Sequence, residues 1–203
     1  MKIDKYEKKS QGKYRLYLDN GEVIDTYDDV ILNQNLLLKK EITLEDINQL
    51  IIDSNIQESY NSCVKYITIR LRSKKEITDY LKRKQVQPDH IAKILAKLEK
   101  KNFLDDALFA KCFINDKLKF TSWGPYRIIN ELKKHNLDPT IQLSLSEYLD
   151  YDIIYNKLSH LIDKSIKANH KAKDYTFKNK LYLKYFKQGY EASMIKEILD
   201  QKL

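Results

Sequence analysis

The chain has 203 residues, of which 42% are hydrophobic and 33% are charged, and its formal net charge is +8. This composition is too apolar for a disordered protein and too charged for a membrane protein, and no apolar run approaches the roughly twenty residues of a membrane span. The whole chain contains only four Gly and three Pro, which disfavours sandwiches, barrels and doubly wound sheets because these folds need many tight turns.

The first part of the chain predicts a short β-hairpin followed by a helix. Residues 13–18 alternate in character, residues 19–22 place Asn-Gly at the centre of a turn, and residues 23–27 can return as a second strand. Thr43 to Asp46 resembles a capping box, which opens a short helix through about residue 52. We assign residues 1–56 to this N-terminal region.

From residue 57 onwards, apolar residues follow a helical period in a unit that recurs three times. Leu81 to Pro88 aligns with Leu132 to Pro139 at an offset of 51 residues, and Tyr185 to Ala192 aligns more weakly at a further 53. Such repetition predicts a mainly α, elongated, solenoid-like body of tandem three-helix repeats. The three repeats are assigned to residues 57–104, 105–150 and 151–203.

Local signals place several helix starts within the repeats. Ser73 and Glu76 form a capping box at the second helix of repeat one, and Pro88 suits the first turn of the third. The pair Asp105-Asp106 has the chemistry for a metal or for acid–base work, but it precedes an apolar periodic run and is interpreted as a helix cap. The sequence contains no nucleophile-and-base set and no glycine-rich phosphate loop, so we expect no catalytic residue and no enzyme.

Cysteine and histidine favour neither a disulfide nor a metal centre. Cys63 and Cys112 lie among apolar residues at helical spacing, where a free Cys usually behaves as a small buried hydrophobe. The N-terminal residues Met1 to Asp4 do not resemble a signal peptide, so we expect a cytoplasmic chain, in which disulfides are rare. The four histidines lack partners at metal-ligand spacing, and we expect no metal and no cofactor.

Positive charge is concentrated in the repeats. Residues 1–64 carry eight Lys/Arg against twelve Asp/Glu, whereas residues 65–84 carry eight against two and residues 164–187 carry eight against one. Such clustering is typical of a protein that binds a polyanion. A lysine-rich solvated surface is the alternative interpretation.

The candidate contact residues surround the second helix of repeats one and two. They are Arg70, Arg72, Lys74 and Lys75 at its start and Lys82, Arg83 and Lys84 at its end in repeat one, and Arg127, Lys133 and Lys134 in repeat two. Arg70, Arg72, Lys82 and Arg83 are expected to lie off the apolar stripes. A basic helix can lie along phosphates. The lysines at 82, 84, 133 and 134 suit the dipole at a helix C-terminus equally well, so both interpretations stay open.

Aromatic residues offer a second kind of contact. The fifteen tyrosines can stack on nucleobases, but most, including Tyr60, Tyr80 and Tyr182, lie at or beside helix-core positions and favour packing. Trp123 stands in a loop between two helices, where burial under the turn is favoured over exposure.

Three stretches resemble a known family, the RecX regulators of bacterial recombination. Residues 70–81 are similar to its R-x-R-S-x-x-E-[LI]-x-x-Y-L stretch, residues 102–110 to G-[YF]-[LI]-[DN]-D-x-x-[FY]-A, and residues 124–132 to G-P-x-x-I-x-x-E-L. The resemblance spans essentially the whole chain. It departs at three helix ends, where Gln85, Asn102 and Asn136 replace a usual Gly, although Asn tolerates the left-handed conformation required there.

The resemblance implies a protein that binds the groove of the RecA–DNA filament and inhibits or otherwise modulates RecA ATPase and recombinase activity in DNA repair and the SOS response. Its implied partners are RecA and single- and double-stranded DNA, without a membrane, and we expect a monomer. The residues alone also allow a general helical nucleic-acid-binding module that acts without RecA, or a scaffold that binds only proteins.

Overall fold

A computed structural model describes residues 1–39, 41–168 and 175–203, which contain three strands and ten α-helices. The chain divides into two compact units. The N-terminal unit contains residues 1–71 and 77–104, and the C-terminal unit contains residues 72–76 and 105–203. The predicted mainly α fold with three-helix repeats is confirmed.

The N-terminal unit begins with a three-stranded antiparallel sheet. Its strands are β1 (Ile3–Lys8), β2 (Lys13–Leu18) and β3 (Val23–Tyr27), in the order β1-β2-β3. The predicted hairpin is confirmed as β2–β3, with Gly21 at φ +85° in its turn. Strand β1 was not predicted, because Ile-Asp-Lys-Tyr-Glu-Lys has a single β-branched residue and a weak alternation of apolar and polar residues.

A single long helix joins the sheet to the first repeat. After the short α1 (Asp28–Asn33), α2 runs from Leu44 to Ile69 and begins at the predicted Thr43–Asp46 capping box. The prediction that this helix ends near residue 52 is wrong, because no Gly or Pro interrupts the following turns and both halves bury apolar side chains. The boundary proposed between residues 56 and 57 therefore falls inside one helix.

Two further helices complete the first repeat. Helix α3 spans Lys74–Arg83 and α4 spans Pro88–Lys100, with Pro88 in the first turn as predicted. Ile77, Leu81, Ile94 and Leu98 are fully buried and pack with the second half of α2. Helix α3 belongs to both units: residues 74–76 are part of the C-terminal unit, and residues 77–83 are part of the N-terminal unit.

The C-terminal unit contains the second and third repeats around one core. Its helices are α5 (Asp106–Phe120), α6 (Pro125–Lys133), α7 (Pro139–Ser144), α8 (Tyr151–Ala168), α9 (Tyr175–Lys187) and α10 (Ala192–Lys202). One apolar cluster runs from Phe109 in α5 to Leu199 in α10. Within this unit, repeats two and three thus share a continuous interior rather than forming separate cores.

The helix-end substitutions identified in the sequence adopt the conformation that Gly usually supplies. Gln85, Asn102 and Asn136 have φ values of 59°, 57° and 49°, and Gly189 occupies the corresponding place in the third repeat with φ +91°. Each residue follows the C-terminus of a helix, where a left-handed residue lets the chain reverse. The loop geometry of the repeats therefore survives the loss of three glycines.

Candidate nucleic-acid interface

Three basic side chains lie exposed at the end of α3 in the N-terminal unit. We call Lys82, Arg83 and Lys84 the α3-end cluster. The Lys84 ammonium lies 5.0 Å from the centroid of the Tyr80 ring, a contact worth about 0.5–1 kcal/mol at an exposed site. Tyr80 in turn stacks on Tyr66 with the ring centroids 4.5 Å apart. The cluster therefore combines exposed positive charge with a stacked aromatic pair.

The start of α3 is held by polar contacts within the C-terminal unit. The Glu76 N–H donates to the Ser73 hydroxyl and the Ser73 N–H donates to the Glu76 carboxylate, both at 3.2 Å, which confirms the predicted capping box. The Ser73 hydroxyl also lies 2.9 Å from Nδ1 of His135. Ser73 itself is completely buried, so these hydrogen bonds satisfy its polar groups inside the protein.

The carboxylate pair Asp105-Asp106 caps two different helices. The Asp105 carboxylate accepts the Leu108 N–H at 2.9 Å and caps α5, as predicted. The Asp106 carboxylate accepts the Lys74 N–H at 2.8 Å, at the first residue of α3. Both acidic groups therefore satisfy helix N–H groups, which agrees with capping rather than catalysis.

Arg72 is not the exposed charge that the sequence analysis expected. Only 10% of its side chain is exposed, and its guanidinium lies 3.6 Å from the Glu76 carboxylate. The expectation that Arg72 is a surface position is wrong. Its side chain is largely enclosed where it pairs with Glu76, four residues later, at the start of α3. Arg70 and Lys74 are exposed and Lys75 is half-buried, so they keep the exposure that a contact requires.

In the C-terminal unit, Arg127 projects from the first turns of α6. Its guanidinium lies 4.4 Å from the centroid of the Trp123 indole and donates to the Gln188 side chain at 3.1 Å. Trp123 is half-buried and packs on the core, which partly agrees with the predicted burial under the turn. The indole thus orients an exposed arginine.

The last turn of α6 holds the other two candidates. Lys133 and Lys134 are both exposed. The Lys134 ammonium pairs with Glu131 at 2.8 Å, and this contact lowers the pKa of the Glu131 carboxyl. Lys134 is therefore already paired with a carboxylate at the end of its own helix, whereas Lys133 lines a neighbouring cleft.

Sequence reasoning missed two lysines beside Trp123. The Lys117 ammonium lies 4.9 Å from the indole centroid, and the Lys157 ammonium donates to the Trp123 carbonyl at 2.9 Å. Burial lowers the pKa of Lys157 to about 8. These residues come from α5 and α8, so no spacing along the chain links them to Arg127 in α6.

Other candidate chemistry is limited in the part of the chain that the structure describes. There, no group of three His, Cys, Asp or Glu is arranged to hold a metal ion, and no helix combines the length and apolarity needed to cross a bilayer. Cys63 is fully buried, and burial raises the pKa of its thiol to about 11, so the thiol stays protonated at neutral pH. Residues 169–174 of the basic stretch 164–187, including His170, lie outside the described residues.

Comparison with known proteins identifies the family of this fold. Residues 60–98 match a family model described as the first three-helix domain of RecX, and residues 105–142 match the second. The chain is 27% identical to the regulatory protein RecX of Oceanobacillus iheyensis and 26% identical to that of Bacillus subtilis. Each alignment covers 96% of this chain and 74% of the relative.

Solved structures agree on the fold. A crystal structure of a regulatory protein RecX matches with a TM-score of 0.85 at 19% identity over 98% of both chains. RecX from Lactobacillus salivarius matches with a TM-score of 0.65 at 22% identity, over 72% of this chain and 95% of that one. The two domain matches follow the order of the repeats, and the relatives align over nearly the whole chain. This chain belongs to the RecX family of regulatory proteins.

Proposed function

We propose that this chain regulates the RecA recombinase by binding the RecA–DNA filament, and that it does so without catalysing a reaction. The observation that carries the proposal is the exposed α3-end cluster in a chain of the RecX family. A filament offers DNA phosphates and protein surface together, and a chain of tandem repeats carries several surfaces that can contact its subunits. Occupying the filament in this way lowers ATPase and recombinase activity during DNA repair and the SOS response in the cytoplasm.

The α3-end cluster has the chemistry for phosphate contacts. Lys82 and Arg83 lie in the last turn of α3 and Lys84 directly follows it, and all three residues are exposed to solvent. Such contacts hold a protein on nucleic acid without reading its sequence, which suits a protein that follows RecA along DNA. Arg83 is the strongest candidate, because a guanidinium binds two phosphate oxygens at once.

Arg127 provides a second contact in the C-terminal unit. The Trp123 indole and the Gln188 side chain restrict its guanidinium, so little side-chain entropy remains to be lost on binding. Arg70, Lys74, Lys75 and Lys133 are weaker members of the proposed interface, and Lys134 is weaker still because it already pairs with Glu131.

Co-sedimentation with RecA filaments on single-stranded DNA tests this interface. Replacing Lys82, Arg83 and Lys84 by Ala is expected to weaken binding about tenfold or more, since hydrogen bonds to charged groups each contribute about 1.5–3 kcal/mol. The matched control replaces Lys2, Lys5 and Lys8, which are also exposed, so it removes the same charge from β1 and the residue before it. Equal losses in both variants would mean that only net charge matters.

A general nucleic-acid-binding module is the second candidate. The stacked Tyr66 and Tyr80 beside Lys84 favour it, because stacked aromatic rings with adjacent cations suit single-stranded nucleic acid even without RecA. Binding to a free oligonucleotide as tightly as to the RecA filament would support this module, whereas clear preference for the filament supports the proposed regulator.

A further inference from the structure

A second surface of the C-terminal unit has a different character from the basic clusters. A cleft of about 370 Å³ opens between α6, the start of α8 and α10. We call it the α6–α10 cleft. Ile154 and Met194, each only 5% exposed, belong to the core and line it, so the cleft gives access to the apolar interior. A space of this size accepts one or two side chains.

Two tyrosines on different helices line the cleft. Tyr126 from α6 is 61% exposed and Tyr151 from α8 is 57% exposed. Ile153, two residues beyond Tyr151, is 56% exposed and adds apolar surface to the same helix. Exposed aromatic and aliphatic side chains beside an apolar opening are typical of surfaces that bind another molecule.

The charge around Tyr151 is negative, in contrast to the net charge of +8. Glu191 lines the cleft itself. Desolvation raises the pKa of Tyr151, and the charges of Glu197, Tyr155, Glu191 and Asp152 raise it further. Lys133 lines the cleft as well and supplies a cation there.

This charge pattern distinguishes between the two classes of partner. A nucleotide seated between the tyrosines would bring its phosphate towards Glu191 and Asp152, where like charges repel. A protein segment with an apolar anchor and a neighbouring Lys or Arg would fill the cleft and pair with the same carboxylates. A backbone carbonyl of the same segment would suit Lys133.

We propose that the α6–α10 cleft binds an apolar side chain of a protein partner whose adjacent residue is positively charged. This inference rests on the proposed function, in which RecA filaments supply the protein surface, and it distinguishes a protein-binding site from the DNA-binding α3-end cluster. The occupant is thus a short apolar–cationic segment on the partner's surface.

Substitution of the two tyrosines tests the cleft in the whole protein. Tyr126→Ala with Tyr151→Ala is expected to weaken binding to RecA–DNA filaments about tenfold, a typical loss for aromatic contact residues, and to leave binding to a free oligonucleotide within about twofold. The matched control, Phe120→Ala with Tyr175→Ala, removes two aromatics that are 72% and 84% exposed and do not line the cleft. Unchanged filament binding, or a parallel loss of oligonucleotide binding, would overturn the proposal.

A second measurement does not depend on RecA. The chain has only two methionines, Met1 and Met194, so methyl-labelled methionine gives one NMR signal from the cleft and one from the N-terminal unit. A short Gly/Ser peptide with a central Leu-Arg pair should shift the Met194 signal saturably, and the same peptide with Leu-Asp should bind about tenfold more weakly. An oligothymidylate should leave the Met194 signal in place.

The two experiments separate the cleft from the proposed function. If filaments do not bind the parent protein but the Leu-Arg peptide moves Met194, the proposed function fails and the apolar–cationic site stands. If the peptide leaves Met194 unmoved, or the oligothymidylate shifts it as strongly as the peptide does, the site itself is refuted.

Discussion

The backbones of Gly124 and Gly189 pack directly against each other in the C-terminal unit. A Cβ atom on Gly124 would lie 2.5 Å from the carbonyl carbon of Gly189, closer than any side chain allows. The Gly124 N–H donates to the Gln188 carbonyl at 2.8 Å, and the Tyr126 N–H donates to the Gly189 carbonyl at 3.0 Å. The turn that ends α9 therefore supplies the acceptors for the first N–H groups of α6.

Gly124→Ala should destabilise the protein by about 1–3 kcal/mol, because the added methyl group meets backbone that cannot move aside. The control is Gly21→Ala, where φ is +85° but nothing lies within 4 Å, so only backbone strain of about 1–2 kcal/mol applies. Urea unfolding followed by circular dichroism measures both changes. A loss below about 0.5 kcal/mol for Gly124→Ala, the range of an ordinary surface substitution, would refute the close contact.

Gln85→Gly should stabilise the first repeat by up to about 1 kcal/mol, since Gln85 holds a left-handed φ of 59° that Gly adopts without a Cβ clash. Gln87→Gly is the control: this residue has φ −61° and precedes α4, so Gly gains nothing there and adds unfolded-state entropy. Thermal unfolding distinguishes the two variants. Equal changes in Tm would mean that the conformation of Gln85 carries no strain.

The salt dependence of DNA affinity gives the number of phosphates that the protein contacts. If about six are neutralised, affinity for duplex DNA falls by roughly 10³ between about 50 and 200 mM salt, and Ala at Lys82, Arg83 and Lys84 lowers the slope of log K against log salt by about 3. Fluorescence anisotropy at several salt concentrations gives these slopes. A slope that is unchanged in the triple variant would place the DNA elsewhere on the chain.

Deleting residues 1–56 is a poor way to isolate the repeats, because the cut falls inside α2. The Lys2, Lys5 and Lys8 variant is the better control for the same titration, since it leaves every helix intact and is expected to retain the parental slope.

Lys157 should make stability depend on pH in an alkaline window. Burial lowers its pKa from the ordinary 10.5 to about 8, so between these values the unfolded chain binds more protons than the folded chain. Stability relative to Lys157→Met should therefore rise as pH increases from about 8 towards 10.5 and stay flat below that window. Urea unfolding of both proteins at several pH values gives this difference; a constant difference would contradict the burial of the ammonium.

Local chemistry was readable from the sequence where a few neighbouring residues determine it. The capping boxes at Thr43 and Ser73, the turn at Gly21 and the cap at Asp105 all depend on side chains within three or four positions. The left-handed conformation of Asn102 was also predictable, because an Asn stands there at a helix end where Gly is usual.

Features made by distant residues could not be read in the same way. Asp106 caps α3 from α5, and Lys157 reaches Trp123 from α8. The low exposure of the Arg72 side chain was missed because it depends on what packs around the start of α3 and not on the local sequence pattern. The α6–α10 cleft corresponds to no sequence motif for the same reason, because the residues that line it come from separate helices.

Steady-state ATP hydrolysis by RecA on single-stranded DNA, titrated with this protein, is the most direct measurement of its proposed role. Suppression should appear well below one molecule per RecA subunit, and the triple Ala variant at Lys82, Arg83 and Lys84 should require about tenfold more protein, while the Lys2, Lys5 and Lys8 control behaves like the parent. If the folded parent protein leaves RecA hydrolysis unchanged at equimolar ratio, the proposed regulation of RecA is wrong.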